Sequence, residues 1–479
     1  MPPRYNDGVN SDNPIKFGTS GWRGIIAEDF TFANVRLAAS AIAHHLLAES
    51  ASPQVVVGYD TRFLSDRFAQ VAADTLCSHG VTTYLCSRAE ATPAIAHDII
   101  HSQRQGGVNI TASHNPAEYN GLKFSGADGG PALPEVTHDI ERLAGEIKSD
   151  SFPLRQAQDP QALRHSADPR PAYLEALRGL VDFKVLEKAR LKVAYHPLYG
   201  AGRGYLDQML REHGTPVFTV DDFRDPLFGG SGPDPNEANL ARLSRLVKEK
   251  ECAVGLATDG DADRFGVVDS DGTWIHPNYV LGVLADYLIE QRKFPGGLGR
   301  SVATTHLIDA VARYHNVPLY ETPVGFKYVG ELIRQDKIAM GGEESAGMSV
   351  RGHVPEKDGI LACLLVAEAV ARTGLSVRQQ IDRLFDKTGP VYSIRINVRL
   401  TPEVSRTLPE KLKLDLERVE KRKVARVDRT DGLKLTFEDG SWMLVRLSGT
   451  EPVARIYCEA PSHIELDALV NASKVFVVG

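Results

Sequence analysis

The stretch Val55-Val-Val-Gly-Tyr-Asp60 joins a run of apolar, mostly β-branched residues to a carboxylate at its end. An amphipathic pattern from Phe68 to Leu76, a turn at His79-Gly80 and a second apolar run, Val81-Thr-Thr-Tyr-Leu85, follow it. This order predicts a buried strand, a loop, a helix and another strand. Strands that alternate with helices are typical of parallel α/β units. We therefore expect an α/β domain around this stretch.

The same plan recurs twice further along the chain. A second predicted strand begins at Leu191-Lys-Val-Ala-Tyr195 and is followed by a turn at His213-Gly214. A third begins at Ser301-Val-Ala-Thr-Thr305 and is followed by a turn at His315-Asn316. Three copies of one supersecondary plan suggest three related α/β domains.

The C-terminal stretch has a different pattern. Val391 to Leu400 alternates between apolar and polar residues, and turns at Asp431-Gly432 and Asp439-Gly440 separate short apolar runs. This is typical of antiparallel hairpins. Ser462 and Glu465 then have the spacing of a helix capping box.

The predicted fold class is therefore α/β, with three related α/β domains built on mixed sheets and a smaller C-terminal antiparallel α+β domain. The predicted domains are 1–165, 166–275, 276–388 and 389–479.

Composition excludes several classes of protein. The 479 residues carry 55 Lys and Arg against 62 Asp and Glu, a net charge of −7, whereas nucleic-acid binding needs a basic surface. No segment reaches the ~20 apolar residues of a membrane span. The N-terminal stretch has no apolar core of a secretory signal, and the five cysteines form no Cys-x-x-Cys pair. We expect a cytoplasmic protein with no nucleic-acid or membrane partner.

The first candidate site is Thr111-Ala-Ser113-His114-Asn115-Pro116, a polar turn after a predicted strand. The carboxyl ends of strands in α/β folds usually face ligands. A serine hydroxyl there can act as a nucleophile or carry a phosphoryl group if a base and a cation are near. Lys123 is a candidate for proton transfer. The alternative is a capped turn without chemistry, because Ser and Asn are ordinary turn residues.

The second candidate site is Asp259-Gly-Asp261-Ala-Asp263-Arg264. Three carboxylates at alternating positions repel one another unless a cation lies between them. Hard oxygen ligands suit Mg²⁺. An EF-hand loop does not fit, since Arg264 and Ser270 stand where that loop needs glycine and glutamate. A solvated acidic turn is the remaining alternative.

Two further loops carry groups that suit a phosphorylated sugar. Glu343 and Ser345 alternate, so both can face the hydroxyl groups of one ligand. The run Arg446-Leu-Ser448-Gly449-Thr450, with Arg455 beyond it, offers guanidinium groups, hydroxyls and backbone N–H groups to a phosphate. Lys327 adds one more cation. An exposed acidic loop and an ordinary hairpin loop are the alternatives at these two places.

Taken together and in this order, the motifs resemble those of the α-D-phosphohexomutase superfamily, which includes phosphoglucomutases and phosphomannomutases. Phe17-Gly-Thr-Ser-Gly-Trp-Arg23-Gly24 is similar to the N-terminal signature of that family. The resemblance covers nearly the whole chain. It implies three related α/β domains and a smaller C-terminal domain around a central cleft.

The resemblance implies an enzyme that interconverts hexose 1-phosphate and hexose 6-phosphate. Ser113 would carry a phosphoryl group bound to Mg²⁺, with Asp259, Asp261 and Asp263 as the other metal ligands. A hexose 1,6-bisphosphate would be both intermediate and activator. The implied catalytic residues are Ser113, His114, Lys123, Arg23 and Lys357; the implied substrate-binding residues are Arg264, Thr322, Gly325, Lys327, Glu343, Ser345 and His353; and the implied phosphate-binding residues are Arg446, Ser448, Gly449, Thr450 and Arg455.

The substrate branch is indicated by Gly347 and by Gly352-His353-Val-Pro-Glu-Lys357. Phosphomannomutase-type and phosphoglucosamine-type members usually have His at the position of Gly347, so the resemblance favours the phosphoglucomutase branch and glucose phosphate. A phosphomannomutase or phosphoglucosamine mutase is the alternative within the superfamily. A phosphatase-like phosphoryl carrier would not need a separate phosphate loop, and a non-catalytic sugar-phosphate-binding protein would not need a nucleophile. We expect a monomer or a homodimer.

Overall fold

The computed structural model describes residues 13–147, 159–447 and 452–479. The chain divides into two compact units. The first is Met1–Tyr173 with Tyr199–Ala201 and Phe223–Asp234, and the second is Leu174–Leu198 with Gly202–Asp222 and Pro235–Gly479. Within the described residues, the first unit contains one sheet and the second contains three.

The first unit is built on a seven-stranded mixed sheet. Its strands are β1 (Phe17–Gly18), β2 (Gly21–Ile25), β3 (Gln54–Tyr59), β4 (Thr82–Cys86), β5 (Gly106–Ile110), β6 (Tyr119–Gly126) and β7 (Arg164–Ala167), and its helices are α1 (Phe32–Glu49), α2 (Ser65–Ser78), α3 (Thr92–His101) and α4 (Pro134–Glu146). The strand order is β1-β2-β6-β5-β3-β4-β7. A short 3₁₀ helix, Pro160–Leu163, precedes β7.

The stretch Val55–Tyr59 forms a buried interior strand of this sheet, β3, and the strand itself was predicted. Val55, Val56 and Val57 of β3 are fully buried, and β3 pairs in parallel with β4 and β5. Burial of one such side chain stabilises the fold by about 1.5–3 kcal/mol. The polar Asp60 follows directly at the carboxyl end of the strand.

The second unit contains two mixed sheets of the same α/β kind. The five-stranded sheet has β8 (Val193–His196), β9 (Val217–Thr219), β10 (Val254–Thr258), β11 (Phe265–Asp269) and β12 (Trp274–Ile275), in the order β12-β11-β10-β8-β9, with helices α5 (Arg170–Leu180), α6 (Phe183–Ala189), α7 (Leu206–Glu212) and α8 (Ala241–Lys250). Helix α5 begins in the first unit.

The four-stranded sheet has β13 (Gly297–Ser301), β14 (Leu319–Thr322), β15 (Ile338–Glu343) and β16 (Gly347–Val350), in the order β14-β13-β15-β16, with helices α9 (Pro277–Glu290), α10 (Leu307–Tyr314), α11 (Phe326–Arg334), α12 (Gly359–Thr373) and α13 (Val377–Thr388). Among the described residues, no single helix is long and apolar enough to cross a membrane. The pair α12 and α13 passes that test only jointly, across a 78° bend.

The last sheet is fully antiparallel, as predicted. It contains β17 (Tyr392–Arg399), β18 (Arg418–Val419), β19 (Arg422–Asp428), β20 (Leu433–Phe437), β21 (Trp442–Leu447) and β22 (Val453–Ala460), in the order β17-β22-β21-β20-β19-β18, with helices α14 (Pro402–Lys411) and α15 (His463–Val478). Ser462 caps α15 by accepting a hydrogen bond from the backbone N–H of Glu465. The fold class is thus the predicted one, whereas the boundaries between the four domains stay predictions.

The predicted strand at Ser301–Thr305 is wrong. Strand β13 is Gly297–Ser301, and the next four residues form the turn before α10. The Ser301 and Thr304 hydroxyls are hydrogen-bonded to each other at 2.9 Å. This local bond stabilises a turn at these residues in place of sheet pairing. Glycine suits the true strand, because a Cβ at Gly297 would lie 2.3 Å from the carbonyl oxygen of Pro318.

Candidate active site

The predicted nucleophile lies in the loop between β5 and β6, in the first unit. Ser113 is buried and has a φ of +53°, in the left-handed region. Its N–H donates to Thr111 Oγ1 at 2.9 Å. Backbone of this kind costs a non-glycine residue about 1–2 kcal/mol and persists only where neighbouring groups hold it.

One buried guanidinium holds this loop. Arg62 Nη2 donates to the carbonyl oxygens of Ser113 and Asn115, both at 2.6 Å. Its Nη1 donates to those of Pro116 at 2.8 Å and Tyr119 at 3.0 Å. Arg62 is absent from the predicted site residues, although its position just after β3 is one where α/β folds place functional groups.

Asp60 completes the support. One of its carboxylate oxygens accepts hydrogen bonds from the Arg62 N–H and the Ser65 hydroxyl, both at 2.9 Å. The other accepts from Thr111 Oγ1 at 2.6 Å and lies 3.1 Å from Arg62 Nε. The carboxylate therefore ties the end of β3 to the loop that carries the serine.

The other predicted catalytic residues of this unit lie on or beside neighbouring strands. Arg23 on β2 donates to Asn115 Oδ1, and Lys123 on β6 is buried opposite Asn109 of β5. His114 is half-buried, and its Nδ1 lies 3.5 Å from Asp234 Oδ1. The structure thus groups Arg23, Ser113, His114 and Lys123 around strands β2, β6 and β5.

The predicted metal ligands lie in the turn between β10 and β11, in the second unit. Asp259, Asp261 and Asp263 are buried, and each offers an oxygen atom within 4.8 Å of the others. The Arg264 N–H donates to Asp259 Oδ1 at 3.0 Å and shapes the turn. Three converging carboxylates in a buried turn are hard donors that fit a divalent cation such as Mg²⁺. The cluster could therefore hold a metal ion.

Lys357 connects this turn to the predicted sugar loop. Its Nζ lies 3.3 Å from Asp263 Oδ2 and 2.5 Å from Glu356 Oε1. Its alkyl chain crosses Gly347, where an added Cβ would lie 2.4 Å from Lys357 Cδ. Any side chain at position 347 would displace Lys357. Gly347 and Lys357, which both indicate the substrate branch, therefore pack directly against each other.

His353 is held by the start of α12. Its Nε2 lies 2.7 Å from Asp358 Oδ2, and Asp358 Oδ1 accepts from the Leu361 N–H at 2.8 Å. The predicted substrate-binding histidine thus depends on the N-cap of this helix for its position.

The predicted sugar-binding carboxylate ends β15. Glu343 Oε1 accepts a hydrogen bond from the Gly325 N–H at 2.8 Å, which joins the end of β15 to the start of α11. Burial raises the pKa of the Glu343 carboxyl to about 7, and the charge of Glu344 adds to the rise. Ser345 is half-buried in the turn between β15 and β16. Glu343 and Ser345 thus lie at the end of β15 and in the turn that follows it, and their contact with one ligand stays a prediction.

Two other predicted ligands flank the loop between β14 and α11: Thr322 ends β14, and Lys327 is in the first turn of α11. The Thr322 hydroxyl is buried and donates to the carbonyl oxygen of Pro323 at 3.0 Å. Lys327 lies near the start of α11, with its Nζ 5.5 Å from the centre of the Tyr328 ring.

The predicted phosphate-binding arginines face each other across β21 and β22. Arg446 and Arg455 are direct register partners, so their side chains leave the same face of the sheet. Asp431 receives two hydrogen bonds from Arg446, at 2.9 and 2.8 Å, and one from the Val324 N–H at 3.1 Å. The Asp431 carboxylate therefore balances and orients the Arg446 guanidinium, and phosphate binding by the two arginines stays a prediction. Ser448, Gly449 and Thr450 lie outside the described residues.

The buried Glu343 predicts a pH-dependent stability. Because its pKa is raised from 4.5 to about 7, the folded state holds a proton that the unfolded state has lost between these values, and stability falls as the pH rises through this window. Glu343→Gln keeps an acceptor for Gly325 but does not titrate. Its unfolding free energy relative to wild type should increase by about 3 kcal/mol between about pH 4 and pH 8.

Thermal unfolding of both proteins across that pH range measures this difference. Glu331→Gln is the matched control, because Glu331 is half-buried on α11 and Arg334 holds the pKa of its carboxyl below the usual 4.5. This variant should lose, not gain, stability relative to wild type as the pH rises. A difference between Glu343→Gln and wild type that does not change with pH would contradict the raised pKa.

Comparison with known proteins identifies the family. A phosphoglucomutase/phosphomannomutase from Thermococcus kodakarensis is 33% identical to this chain over 93% of its length and 94% of the relative. Domains described as phosphoglucomutase/phosphomannomutase, alpha/beta/alpha domains I, II and III, and C-terminal domain match residues 14–151, 171–272, 276–388 and 396–472. The chain belongs to the phosphoglucomutase/phosphomannomutase family. It is therefore a mutase, an isomerase of carbohydrate metabolism.

Other members of the phosphoglucomutase/phosphomannomutase family carry different substrate names. A solved structure titled as a putative phosphomannomutase from Thermus thermophilus is 34% identical, with a TM-score of 0.85 and coverage of 97% of this chain and 99% of that one. A probable phosphoglucosamine mutase from Methanosphaera stadtmanae is 29% identical over 97% and 98% of the two chains. Family membership thus defines a phosphohexomutase, and the sugar depends on residues of this chain.

Proposed function

We propose that this phosphohexomutase interconverts glucose 1-phosphate and glucose 6-phosphate, with Ser113 as the phosphoryl carrier. The observation that supports the glucose assignment is the packing of Lys357 across Gly347 and beside Asp263. This arrangement leaves no room for the histidine that phosphomannomutase-type members usually have at position 347.

In the proposed reaction, Ser113 begins as phosphoserine. A free hydroxyl of the hexose phosphate attacks the phosphorus, the bond to Ser113 Oγ breaks, and a hexose 1,6-bisphosphate forms. The proton of the attacking hydroxyl passes to a base, and an acid supplies a proton to the departing Ser113 Oγ; Lys123 and Lys357 are the candidates for these roles. The bisphosphate then reorients and returns its other phosphoryl group to Ser113. Mg²⁺ held by the three buried aspartates would offset charge on the transferring group.

The predicted sugar-binding and phosphate-binding residues hold the substrate in two orientations. Glu343 and Ser345 accept from and donate to ring hydroxyls. Arg446 and Arg455 bind the phosphate that does not react, together with the loop that follows Arg446. A second phosphate position is required because the substrate carries phosphate at either end during one catalytic cycle.

Rates with alternative sugars test the proposal. Glucose 1-phosphate, mannose 1-phosphate and glucosamine 1-phosphate are compared with Mg²⁺ and a trace of the matching 1,6-bisphosphate. We expect kcat/KM to favour glucose 1-phosphate by about tenfold or more, since a site that binds hydroxyls discriminates by their positions. Equal rates, or a preference for another sugar, would overturn the glucose assignment and leave the phosphoserine mechanism in place.

A phosphatase-like carrier is tested in the same samples. It would release inorganic phosphate at a rate that matches consumption of the sugar phosphate. A mutase releases little, because each phosphoryl group passes to sugar or back to Ser113.

A further inference from the structure

All five N–H donors of the Arg62 guanidinium are directed at the serine loop and at Asp60. Four of them bind backbone carbonyl oxygens between Ser113 and Tyr119, and Nε binds the Asp60 carboxylate. A guanidinium presents its donors in one rigid plane. It therefore defines the relative positions of four peptide groups in the loop that carries the proposed phosphoryl group.

A segment from later in the chain covers this guanidinium. The segment Phe223–Asp234, here named the clamp segment, belongs to the first unit. Its Phe228 ring centre lies 4.9 Å from Arg62 Cζ, and Phe228 is buried. Its Arg224 donates to the carbonyl oxygens of Thr61 at 3.2 Å and Arg62 at 3.3 Å.

The clamp segment also reaches the serine loop directly. Asp234 lies 3.5 Å from the His114 ring, and a Cβ added at Gly232 would lie 3.5 Å from Pro116 Cα. Arg62 is thus enclosed between the loop that it holds and an aromatic ring. Burial of the ion pair between Arg62 and Asp60 costs free energy unless the remaining donors of the guanidinium are also hydrogen-bonded. Carbonyl oxygens of the serine loop accept from all four of these donors.

We infer that Arg62 is a positioning residue for phosphoryl transfer at Ser113, and that the clamp segment keeps its guanidinium in register with the loop. The inference rests on the proposed role of Ser113. Ser113 has a left-handed backbone that needs external support. Phosphoryl transfer depends on alignment of the reacting atoms, and a displacement of about 1 Å can cost on the order of 10²-fold in rate.

Arg62→Lys tests this inference, because lysine keeps the positive charge but has three donors on one atom. Enzyme phosphorylated with glucose 1,6-bisphosphate is mixed with glucose 6-phosphate in a rapid-quench instrument, and the rate is expressed per phosphorylated enzyme. We expect a loss on the order of 10²-fold in kcat, with KM for glucose 6-phosphate and the Mg²⁺ requirement changed less than about twofold. The ³¹P resonance of the phosphoserine should also shift or broaden.

Arg67→Lys is the control, because Arg67 is exposed on α2 and bonds Gln70 at 3.3 Å. We expect wild-type kcat and an unchanged ³¹P resonance in this variant. Arg62→Lys with a wild-type rate per phosphorylated enzyme and an unchanged resonance would overturn the inference. A loss of total activity that only matches the loss in the fraction of enzyme that can be phosphorylated would also overturn it, because that pattern marks simple unfolding.

Phe228→Leu provides a second test if Arg62→Lys does not fold. It keeps all five donors but removes the ring beside the guanidinium. A smaller loss of kcat, on the order of threefold to tenfold, with unchanged KM supports the inference, and no loss overturns it. Failure of the proposed function is separable, since in that case Ser113→Ala would itself retain mutase activity.

Discussion

Ser113→Ala is expected to reduce the interconversion of glucose 1-phosphate and glucose 6-phosphate on the order of 10³-fold or more. The variant has no hydroxyl to carry the phosphoryl group, so neither half of the reaction can proceed. The loop itself should stay folded, because Arg62 and Thr111 bind the backbone of Ser113, which the variant keeps. Formation of glucose 6-phosphate, followed with Mg²⁺ and glucose 1,6-bisphosphate present, measures the loss.

Ser125→Ala is the matched control, since Ser125 lies on β6 in the same sheet and is not part of the proposed site. It should keep wild-type activity. Mass analysis of peptides from the wild-type enzyme should find phosphate on Ser113 and not on Ser125. Substantial mutase activity in Ser113→Ala would disprove the phosphoserine mechanism.

Asp261→Asn is expected to give the second large effect, a loss on the order of 10²-fold or more in Mg²⁺-dependent activity. Removal of one of three buried carboxylates weakens the attraction for a divalent cation. It also relieves repulsion in the metal-free protein. The variant should therefore unfold at a higher temperature than wild type in EDTA, and should gain less stability than wild type when Mg²⁺ is added.

Thermal unfolding with and without Mg²⁺ measures this effect independently of activity. Asp271→Asn is the control, because Asp271 is an exposed turn residue that binds the Thr273 N–H. A wild-type protein whose unfolding temperature does not respond to Mg²⁺ would argue against a metal site at the three aspartates. So would an Asp261→Asn variant that is less stable than wild type in EDTA.

Local patterns predicted the elements because local physics decides them. The valines of β3 form a strand, since a run of β-branched residues suits a sheet buried on both faces. Ser462 caps α15 because its hydroxyl lies three residues before the N–H that needs an acceptor. The pattern failed at Ser301–Thr305. The β-branched residues there indicated a strand, but the hydroxyls of Ser301 and Thr304 stabilise a turn.

The candidate site was accessible from the sequence where its residues are close along the chain. Asp259, Asp261 and Asp263 are close in sequence and would repel one another without a cation between them. Their spacing therefore indicated a metal site. Residues that support the site from distant positions in the sequence gave no such local pattern. Arg62 binds peptide groups 51 to 57 residues away. Asp431 binds both Arg446 and the N–H of Val324, which lies 107 residues before Asp431.

The sequence by itself determined the fold class, the order of the site motifs and the chemical character of each, because strand burial, capping and carboxylate repulsion act over a few residues. Only the tertiary structure decided which groups hold these motifs in place. The five bonds of Arg62 and the passage of Lys357 across Gly347 depend on packing between distant segments. Such packing is set by the shape and buried surface of whole elements, which no short pattern records.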